Sequence, residues 1–386
     1  MNHIDELRAA RPAHLGDRPV DPRTRSAELA RAMSQPRPVR RRRMAVKPVW
    51  GLGLAGVAAA TAAATAVVVV MAGNGTAPTP RAPDGGRPVA GSPSTAPATR
   101  VKLAARDVLL AAAEKADRRS ERTGAYWHTV SVTRSLYSAA KGGYRVVARE
   151  RSEMWTPRAA GGDQWARSRP LGVAPASEED RKAWERAGSP GEIDIAVPGK
   201  RGPMTLTVSP GRARTSHSPL VDGDKVFWLG RNVTMKDLRG LPSDPQQLKK
   251  WLLRSYQGHD TESSAVPMGS DAWLFRVSAG LITDMPVTSQ VRGAAFRMLA
   301  ELDSVEVIQN VTDGEGRRGT AVAVEERVTG SAVLQHRLIF DEATGQALGD
   351  QNVVVKPGGL QAGLEPGTVF NSTAVLEAGW TDAKPS

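Results

Sequence analysis

The stretch that decides the fold is Thr320–Phe340, which reads TAVAVEERVTGSAVLQHRLIF. It contains two apolar, β-branched runs, Thr320–Val328 and Ala332–Phe340, on either side of Thr329-Gly330. Short runs of this composition, bounded by turn residues, are typical of β-strands. A connection of so few residues joins neighbouring antiparallel strands. The stretch therefore predicts a β-hairpin.

A period of two residues continues on both sides of this hairpin. Asp313-Gly314 and Asp341–Gly345 supply the next turns. The further strands predicted on this pattern are Val305–Val311, Ala347–Val355 and Val369–Leu376. The C-terminal part of the chain is therefore predicted to be a meander of four or five antiparallel strands.

The segments before the meander show both helical and strand periodicity. The predicted helices are Val101–Glu121, a short surface helix containing Ser177, Asp180 and Trp184, one beginning at Ser243-Asp244-Pro245, Ser270–Ile282, and Pro286–Leu302. The predicted strands are Tyr126–Arg134, Tyr144–Trp155, Asp163–Ser168, and Val226–Trp228 after the turn Asp222-Gly223-Asp224. This order predicts an α+β domain over residues 100–378, followed by a tail at 379–386.

The charge and the cysteine content exclude several classes of protein. The formal net charge is +12, but the residues up to Pro48 hold 12 Lys and Arg against 5 Asp and Glu. Most of the excess therefore belongs to an N-terminal arm, and we expect no nucleic-acid partner. The chain has no Cys, which excludes disulfides, thiolate metal sites, a cysteine nucleophile and a lipid anchor on cysteine.

An uncharged segment of 23 residues runs from Trp50 to Ala72. At about 1.5 Å rise per residue it would span roughly 34 Å as a helix, enough for a hydrocarbon core of roughly 30 Å. Arg40–Arg43 and Lys47 precede it, and the next basic residue is Arg81. This asymmetry predicts a single-pass plasma-membrane protein with a cytoplasmic N-terminus and an extracytoplasmic C-terminal domain.

A cleaved export signal is the alternative for the same segment. Arg42-Arg43 loosely matches a twin-arginine pattern, and Val70-Met71-Ala72 resembles a cleavage site. An apolar core longer than about 15 residues and a long preceding arm favour an uncut anchor. The flanks then divide into a basic, largely disordered cytoplasmic arm at 1–49 and a Pro- and Gly-rich linker at 73–99.

Motifs for catalysis are weak. Gly51, Gly53 and Gly56 satisfy GxGxxG, but they lie inside the predicted span, with neither a preceding strand nor an acidic residue about 20 positions on. Ser138 and Lys141 form an SxxK match in a predicted strand turn, without the later SDN and KTG elements of penicillin-recognising enzymes. We therefore predict no catalytic residue and no enzyme activity.

Metal and cofactor ligands are also scattered. The histidines of the exported part, His128, His217, His259 and His336, show no metal-binding spacing. Asp222 and Asp224 are interpreted as turn residues. The glycosylation sequons are at Asn232, Asn310 and Asn371. We therefore predict no metal site and no cofactor.

Four tryptophans lie on or beside predicted strands, namely Trp127, Trp155, Trp165 and Trp228. They fit either a hydrophobic core or the lining of a hollow under a curved sheet. Both interpretations stay open at the level of sequence.

The chain resembles a family of single-pass actinobacterial membrane proteins. The resemblance is carried by Leu7–Pro12, Pro19–Pro22, Glu28–Met33, Leu241–Pro245 and Leu338–Gly345, in addition to the basic run, span and linker. The outer domain resembles, more loosely, the half-barrel of LolA-like and MucB-like proteins, which implies a curved antiparallel sheet packed with helices. That resemblance implies lipid or lipoprotein handling, or envelope sensing linked to extracytoplasmic-function sigma factors.

One departure from those relatives limits what the resemblance implies. The HxxxCxxC pattern of zinc-containing anti-sigma factors is absent from the sequence, and the arm is short for a complete anti-sigma domain. No functional residue is carried over.

Our expectation is therefore a membrane-anchored extracytoplasmic protein that binds or senses a component of the cell envelope, with a regulatory role. Its expected partners are the lipid bilayer, an envelope lipid or protein ligand, and a cytoplasmic partner of the arm. A lipid or lipoprotein carrier with an apolar cavity is the first alternative, and a secreted hydrolase is the second.

Overall fold

The protein was analysed as a computed structural model that describes residues 105–195, 203–228, 231–261, 266–328 and 331–384. The predicted arm at 1–49, the span at 50–72, the linker at 73–99 and the first residues of the first helix lie outside these ranges. Within the described residues, no helix is both long and apolar enough to cross a membrane.

The helices of the described residues are few and mostly short. They are α1 (Ala105–Asp117), α2 (Glu178–Arg186), α3 (Met235–Arg239), α4 (Pro245–Leu253), α5 (Ser270–Thr283) and α6 (Ser289–Leu299), with a 3-10 turn at Gly359–Gln361. Each of the five helices predicted within residues 100–378 corresponds to one of these, and only α3 was not predicted. It begins because the Thr234 side chain accepts a hydrogen bond from the backbone N–H of Asp237, whose carboxylate binds back to the Thr234 N–H.

The strands fall into an N-terminal and a C-terminal group. The first group is β1 (Tyr126–Ser138), β2 (Arg145–Pro157), β3 (Asp163–Pro175), β4 (Glu192–Ile195), β5 (Met204–Thr207), β6 (Arg214–Pro219), β7 (Lys225–Trp228) and β8 (Arg231–Thr234). The second group is β9 (Glu306–Thr312), β10 (Arg318–Arg327), β11 (Val333–Asp341), β12 (Gln346–Lys356) and β13 (Val369–Thr381). The hairpin predicted at Thr320–Phe340 is β10–β11.

Nine of these strands form one open sheet. Its order is β6-β3-β2-β1-β13-β12-β11-β10-β9, and every neighbouring pair is antiparallel. The predicted meander of four or five strands is therefore confirmed, and it consists of the five strands β9–β13. The last strand pairs with β1, so the two ends of the described chain meet in the middle of the sheet. β4–β5 and β7–β8 are separate two-stranded hairpins.

Some strands are longer than their sequence pattern predicted. β3 was predicted to end at Ser168 but continues to Pro175, because its Pro- and Gly-containing second half pairs with β2 after a bulge at Arg149/Glu150. Gly172, whose φ is +96°, supplies the backbone conformation needed at this irregularity. β13 likewise runs past Leu376 to Thr381, and Trp380 there pairs with Trp127 of β1.

The main hydrophobic core lies between the helices and one face of the sheet. α5 packs against β10 and β12, and α6 packs against α1, α4 and α5. The largest fully buried side chains include Trp273, Phe275, Phe296, Phe340 and Leu281. The helices therefore cover mainly the C-terminal half of the sheet, and the α+β class is confirmed.

Helix α1 approaches α6 very closely. A Cβ atom at Gly293 would lie 1.9 Å from Asp117 Oδ1 and 3.1 Å from the carbonyl oxygen of Ala113. Asp117 also forms an ion pair with Arg297. These contacts hold the C-terminal end of α1 against α6, shortly before the chain enters β1.

Candidate functional site

The SxxK match lies in an exposed hairpin. Ser138 ends β1, Lys141 lies in the turn before β2, and both are exposed. The backbone N–H of Ala139 donates to the carbonyl oxygen of Tyr144, which closes this turn. A serine at the end of a strand lacks the helix N-terminus that would activate it in a penicillin-recognising enzyme.

The four histidines are not brought together at one site. His217 Nδ1 lies 2.8 Å from Asp163 Oδ2, and His259 Nδ1 lies 2.8 Å from the carbonyl oxygen of Asp260. His128 and His336 lie in β1 and β11. Among the described residues, no group of three or more His, Asp and Glu side chains could hold a metal ion.

Asp222 and Asp224 are found in a turn, as their sequence context indicates. Asp222 has a φ of +52°, and its carboxylate lies 3.1 Å from Lys225 Nζ. Of the sequon residues, Asn232 and Asn310 are exposed. Asn371 is buried and donates a hydrogen bond to the Ser135 hydroxyl.

Two of the four tryptophans lie on the sheet face opposite the helices. His128, Trp155, Trp165 and His217 pair directly across β1, β2, β3 and β6. His128 stacks on Trp155 with ring centroids 4.5 Å apart, and Trp165 stacks on His217 at the same distance. Burial lowers the pKa of His128, and the carboxylate of Glu377 only partly offsets this. The four rings of this row therefore stack on one another in two pairs.

Trp127, by contrast, belongs to the core on the helical side. The side chain of Trp228 lies outside the described part of the chain.

Two adjoining cavities lie beside the helices, over β1, β2 and β3. The larger has a volume of about 480 Å³, and the smaller about 220 Å³. Thr133 and Glu150 line both, so the two spaces are neighbouring compartments, which we call the hollow. β5 and the loop after it, including Pro210, close the larger compartment on its outer side.

Many of the side chains that line the hollow carry hydroxyl groups. Alternate residues of β1 point to the same face as Trp127, and those that line the hollow are Thr129, Ser131, Thr133 and Ser135. Other hydroxyl residues in the two linings are Ser152, Ser168, Thr205, Thr207, Ser209, Thr283 and Thr373. Such a floor offers many hydrogen-bond donors and acceptors to a bound molecule.

The smaller compartment ends at two carboxyl groups. Asp284 is the C-cap of α5, and Asp350 lies in β12 with 5% of its surface exposed. Burial raises the pKa of Asp284 to about 6, and the Thr283 hydroxyl and the Arg292 charge oppose the rise. Burial raises the pKa of Asp350 to about 8, the Asp284 carboxylate adds to this, and the Thr373 hydroxyl opposes it. Two acids of different acidity therefore share one cavity.

Neither the Asp350 nor the Thr373 side chain is satisfied. Asp350 Oδ1 and Thr373 Oγ1 are both buried and have no hydrogen-bond partner. Leaving such groups unpaired costs about 1–3 kcal/mol each. Groups of this kind at the wall of a cavity are typical of a site built for a bound molecule.

A separate ionic network ties α5 to the sheet outside the hollow. Arg276 Nη1 lies 2.8 Å from Asp260 Oδ2, and its Nη2 lies 3.3 Å from Glu326 Oε2. His336 Nε2 lies 2.9 Å from the same Glu326 oxygen, and its Nδ1 lies 2.5 Å from Asn352 Oδ1. Burial, followed by the Arg276 charge, lowers the pKa of His336. This network has no lining residue in common with the hollow, and its contacts orient α5 on the sheet.

Comparisons of the chain with protein-family models, with curated proteins and with solved structures find no match. The function proposed below therefore depends on the geometry of the hollow.

Sequence reasoning singled out neither Asp284 nor Asp350. A signal for Asp350 was present, because Asp350-Gln351-Asn352 interrupts an otherwise apolar strand. The alternating hydroxyl residues of β1 were a second signal. The sequence around Asp284 gave no such signal, because this residue follows a helix in an ordinary loop. Its place in the candidate site depends on the position of β12.

Proposed function

We propose that this chain is a membrane-anchored, extracytoplasmic binding protein of the cell envelope, whose folded domain takes a small polar molecule into the hollow. The observation that carries the proposal is a hydroxyl-lined space over β1–β3 that ends at a buried, unpaired carboxyl group. The main helical layer packs on the other half of the sheet, while α2 and the β4–β5 hairpin form a smaller apolar cluster with β1–β3 on this half, next to the hollow.

The size of the hollow fits a small molecule. Ligand sites in proteins commonly enclose about 300–1,000 Å³. The larger compartment has a volume of about 480 Å³ and the smaller one about 220 Å³. A sheet that curves as a half-barrel around this space, as in LolA-like proteins, is part of the proposal.

The hydroxyl and carboxyl groups of the lining favour a ligand that carries polar groups of its own. Ser and Thr side chains and the carboxyl groups supply hydrogen-bond partners for such a molecule, while apolar atoms make up most of the remaining surface of the hollow. Trp127, Trp155 and Trp165 do not line either compartment. The carrier remains the alternative, and it would place an acyl chain along the larger compartment, against Tyr137, Val173 and Leu206.

The anchor and the orientation are supported by the sequence alone. The uncharged run Trp50–Ala72 follows the basic residues Arg40–Arg43, which favours a cytoplasmic arm. A linker of 27 residues has an end-to-end distance of about 29 Å as a flexible coil, so the domain would stand clear of the bilayer. A regulatory role would add a cytoplasmic partner for the arm.

The linings of the two compartments contain no His or Lys side chain that could act as a base for a hydroxyl nucleophile. The exposed Ser138 and Lys141 lie in the β1–β2 hairpin, and neither lines the hollow. We therefore propose binding rather than hydrolysis as the function.

The test compares what co-purifies with three forms of the full-length chain. Ala148→Phe places a ring in the larger compartment. Val147→Phe places the same ring on the opposite face of β2 and serves as the matched control. We expect mass spectrometry of the denatured proteins to find a polar compound in the wild type and in the control, and none in Ala148→Phe.

Two other outcomes are informative. Recovery of a phospholipid or another acyl lipid from the wild type and the control alone would support the carrier. Identical extracts from all three proteins would contradict the proposal that the hollow binds a ligand.

A further inference from the structure

The starting point is the carboxyl group of Asp350, which the fold buries with its Oδ1 atom making no hydrogen bond. Asp350 pairs across the sheet with Leu338 on one side and Thr373 on the other. Its Oδ1 atom makes no hydrogen bond, and neither does the neighbouring Thr373 hydroxyl. Both residues line the smaller compartment, so a molecule in that space could satisfy both.

Asp284 brings a second carboxyl group to the same compartment. It caps the C-terminus of α5, where the Thr283 hydroxyl lies 3.2 Å from Asp284 Oδ1. Its backbone carbonyl accepts a hydrogen bond of 2.6 Å from the Trp127 indole. The negative end of the α5 dipole therefore lies at the same place as the two acids.

The cations near this compartment are already engaged. Arg292 donates to the carbonyl oxygen of Met285 at 2.7 Å, and its guanidinium carbon lies 5.2 Å from the centre of the Trp127 ring. Arg167 lies 5.8 Å from the centre of the Trp155 ring. The remaining charged residues of the lining are the acids Glu150 and Glu153, of which Glu153 is paired with Arg151 at 3.0 Å. Acidic residues therefore outnumber basic residues in the lining of the compartment.

The donor set fits a monovalent cation better than a metal ion. No metal-binding group of three or more His, Asp and Glu side chains occurs among the described residues. A divalent ion such as Ca²⁺ takes six to eight oxygen ligands, several of them carboxylates. A protonated amine needs acceptors for only three N–H groups, and Asp350, Asp284 and Thr373 supply acceptors of that kind.

We propose that the smaller compartment binds the protonated amine of a small ligand, with Asp350 and Asp284 as its anionic partners. The inference rests on the proposed function, because it names the chemistry of the molecule that the hollow takes. The hydroxyl residues of β1 would then contact the rest of the ligand.

Proton release follows from this arrangement. Because burial raises the pKa of Asp350 to about 8, its carboxyl group is mostly protonated at neutral pH. An ammonium group favours the ionised form, so binding expels the proton. The facing charged groups are Asp284, Glu150, Glu153, Arg167 and, through Asp284, Arg292. An alkylammonium keeps its charge through this pH range, and its affinity should therefore rise between pH 6 and pH 8.

The experiment uses two probes of the same shape, cyclohexylammonium and the neutral cyclohexanol. Binding to the full-length chain is measured by titration calorimetry in buffers of different ionisation enthalpy, which reports the protons released. We expect the amine to bind at least tenfold more tightly than the alcohol, with proton release at pH 7. Asp350→Asn should remove the preference and the release, and Asp284→Asn should weaken amine binding. Asp163→Asn, an exposed carboxylate outside the hollow, should bind like the wild type.

The outcomes separate this inference from the proposed function. Equal affinity for amine and alcohol, unchanged in Asp350→Asn, would overturn the amine site and leave a binding hollow. Failure of the amine to bind, while Ala148→Phe loses a co-purifying compound, would also overturn the amine site alone. Failure of both probes, with identical extracts from the wild type and Ala148→Phe, would overturn both proposals.

Discussion

The indole N–H of Trp127 donates a hydrogen bond of 2.6 Å to the backbone carbonyl oxygen of Asp284. This contact joins the first strand of the sheet to the end of α5, which is the edge where the helical layer stops and the hollow begins. Trp380 meets the Trp127 ring edge-on, with centroids 5.4 Å apart. The position of the Asp284 carboxyl group therefore depends on a pair of tryptophans from the first and last strands.

Trp127→Phe should destabilise the protein and weaken amine binding. The substitution keeps an aromatic ring in the core but removes the hydrogen bond and part of the contact area, at a cost of about 1–3 kcal/mol. Urea unfolding and calorimetry with cyclohexylammonium measure the two effects. Trp380→Phe is the matched control, because its indole N–H is buried without a partner. Equal losses of amine affinity in the two variants would show that the hydrogen bond does not position Asp284.

Asp350→Asn should make the free energy of unfolding depend less on pH between pH 5 and pH 8. The pKa of Asp350 rises from 3.8 to about 8 in the folded state, so folding retains a proton that the unfolded chain has lost. The contribution of this group to stability is therefore greatest at low pH and declines as the pH rises from about 4 to about 8. Between pH 5 and pH 8, we expect the variant to gain on the order of 3 kcal/mol relative to the wild type. Urea unfolding at pH 5, 6.5 and 8 measures this gain, and parallel stability curves would contradict it.

The order of the helices and strands could be predicted from local sequence pattern, but the ends of some strands could not. Thr320–Phe340 showed its hairpin directly, because apolar strands and a Gly-containing turn are local signals. The second half of β3, which contains Pro170, Gly172 and Pro175, gave no such signal, since its pairing with β2 depends on a neighbouring strand. The addition of β13 next to β1 is also non-local, and the period of two residues does not encode it.

Arg276→Met should be strongly destabilising. Arg276 forms ion pairs with Asp260 and Glu326 and is about 10% exposed. Its removal leaves two poorly solvated carboxylates without their cation, at a cost of about 3–5 kcal/mol. Arg297→Met removes a similar pair with Asp117 whose side chains are about 30% exposed, and it should cost less than about 1 kcal/mol. Chemical denaturation measures both, and similar losses in the two variants would argue against an ionic anchor for α5.

The candidate site was harder to predict than the fold, for a physical reason. The strand predicted at Tyr126–Arg134 places Thr129, Ser131 and Thr133 on one face by its period of two residues, and these side chains are part of the floor of the hollow. The acidic end requires Asp284 and Asp350 to meet across 66 positions of the chain. Each residue has an ordinary local interpretation, the first as a helix end and the second as a strand residue. Only tertiary packing brings them to one cavity.

Gly349→Ala should be poorly tolerated. Gly349 has a φ of +153°, and a Cβ atom there would lie 2.0 Å from the carbonyl oxygen of Thr373. The neighbouring backbone must move, which we expect to cost about 3 kcal/mol or more and to displace Asp350. Gly363→Ala is the control, because a Cβ atom there meets nothing within 4 Å. Thermal unfolding should show a large shift for Gly349→Ala and a shift of a degree or two for the control. A small shift in both would contradict the close approach of β12 and β13.

The orientation of the chain in a membrane can be tested by cysteine labelling, because the sequence contains no cysteine of its own. Ala383→Cys places a thiol at an exposed position after β13, and Ser26→Cys places one in the N-terminal arm. If Trp50–Ala72 crosses the bilayer with Arg40–Arg43 on the cytoplasmic side, a membrane-impermeant maleimide should label only Ala383→Cys in intact cells. Both variants should react after permeabilisation, which shows that both thiols are accessible. Labelling of Ser26→Cys alone in intact cells would reverse the orientation and place the hollow in the cytoplasm, where it could not meet an envelope ligand.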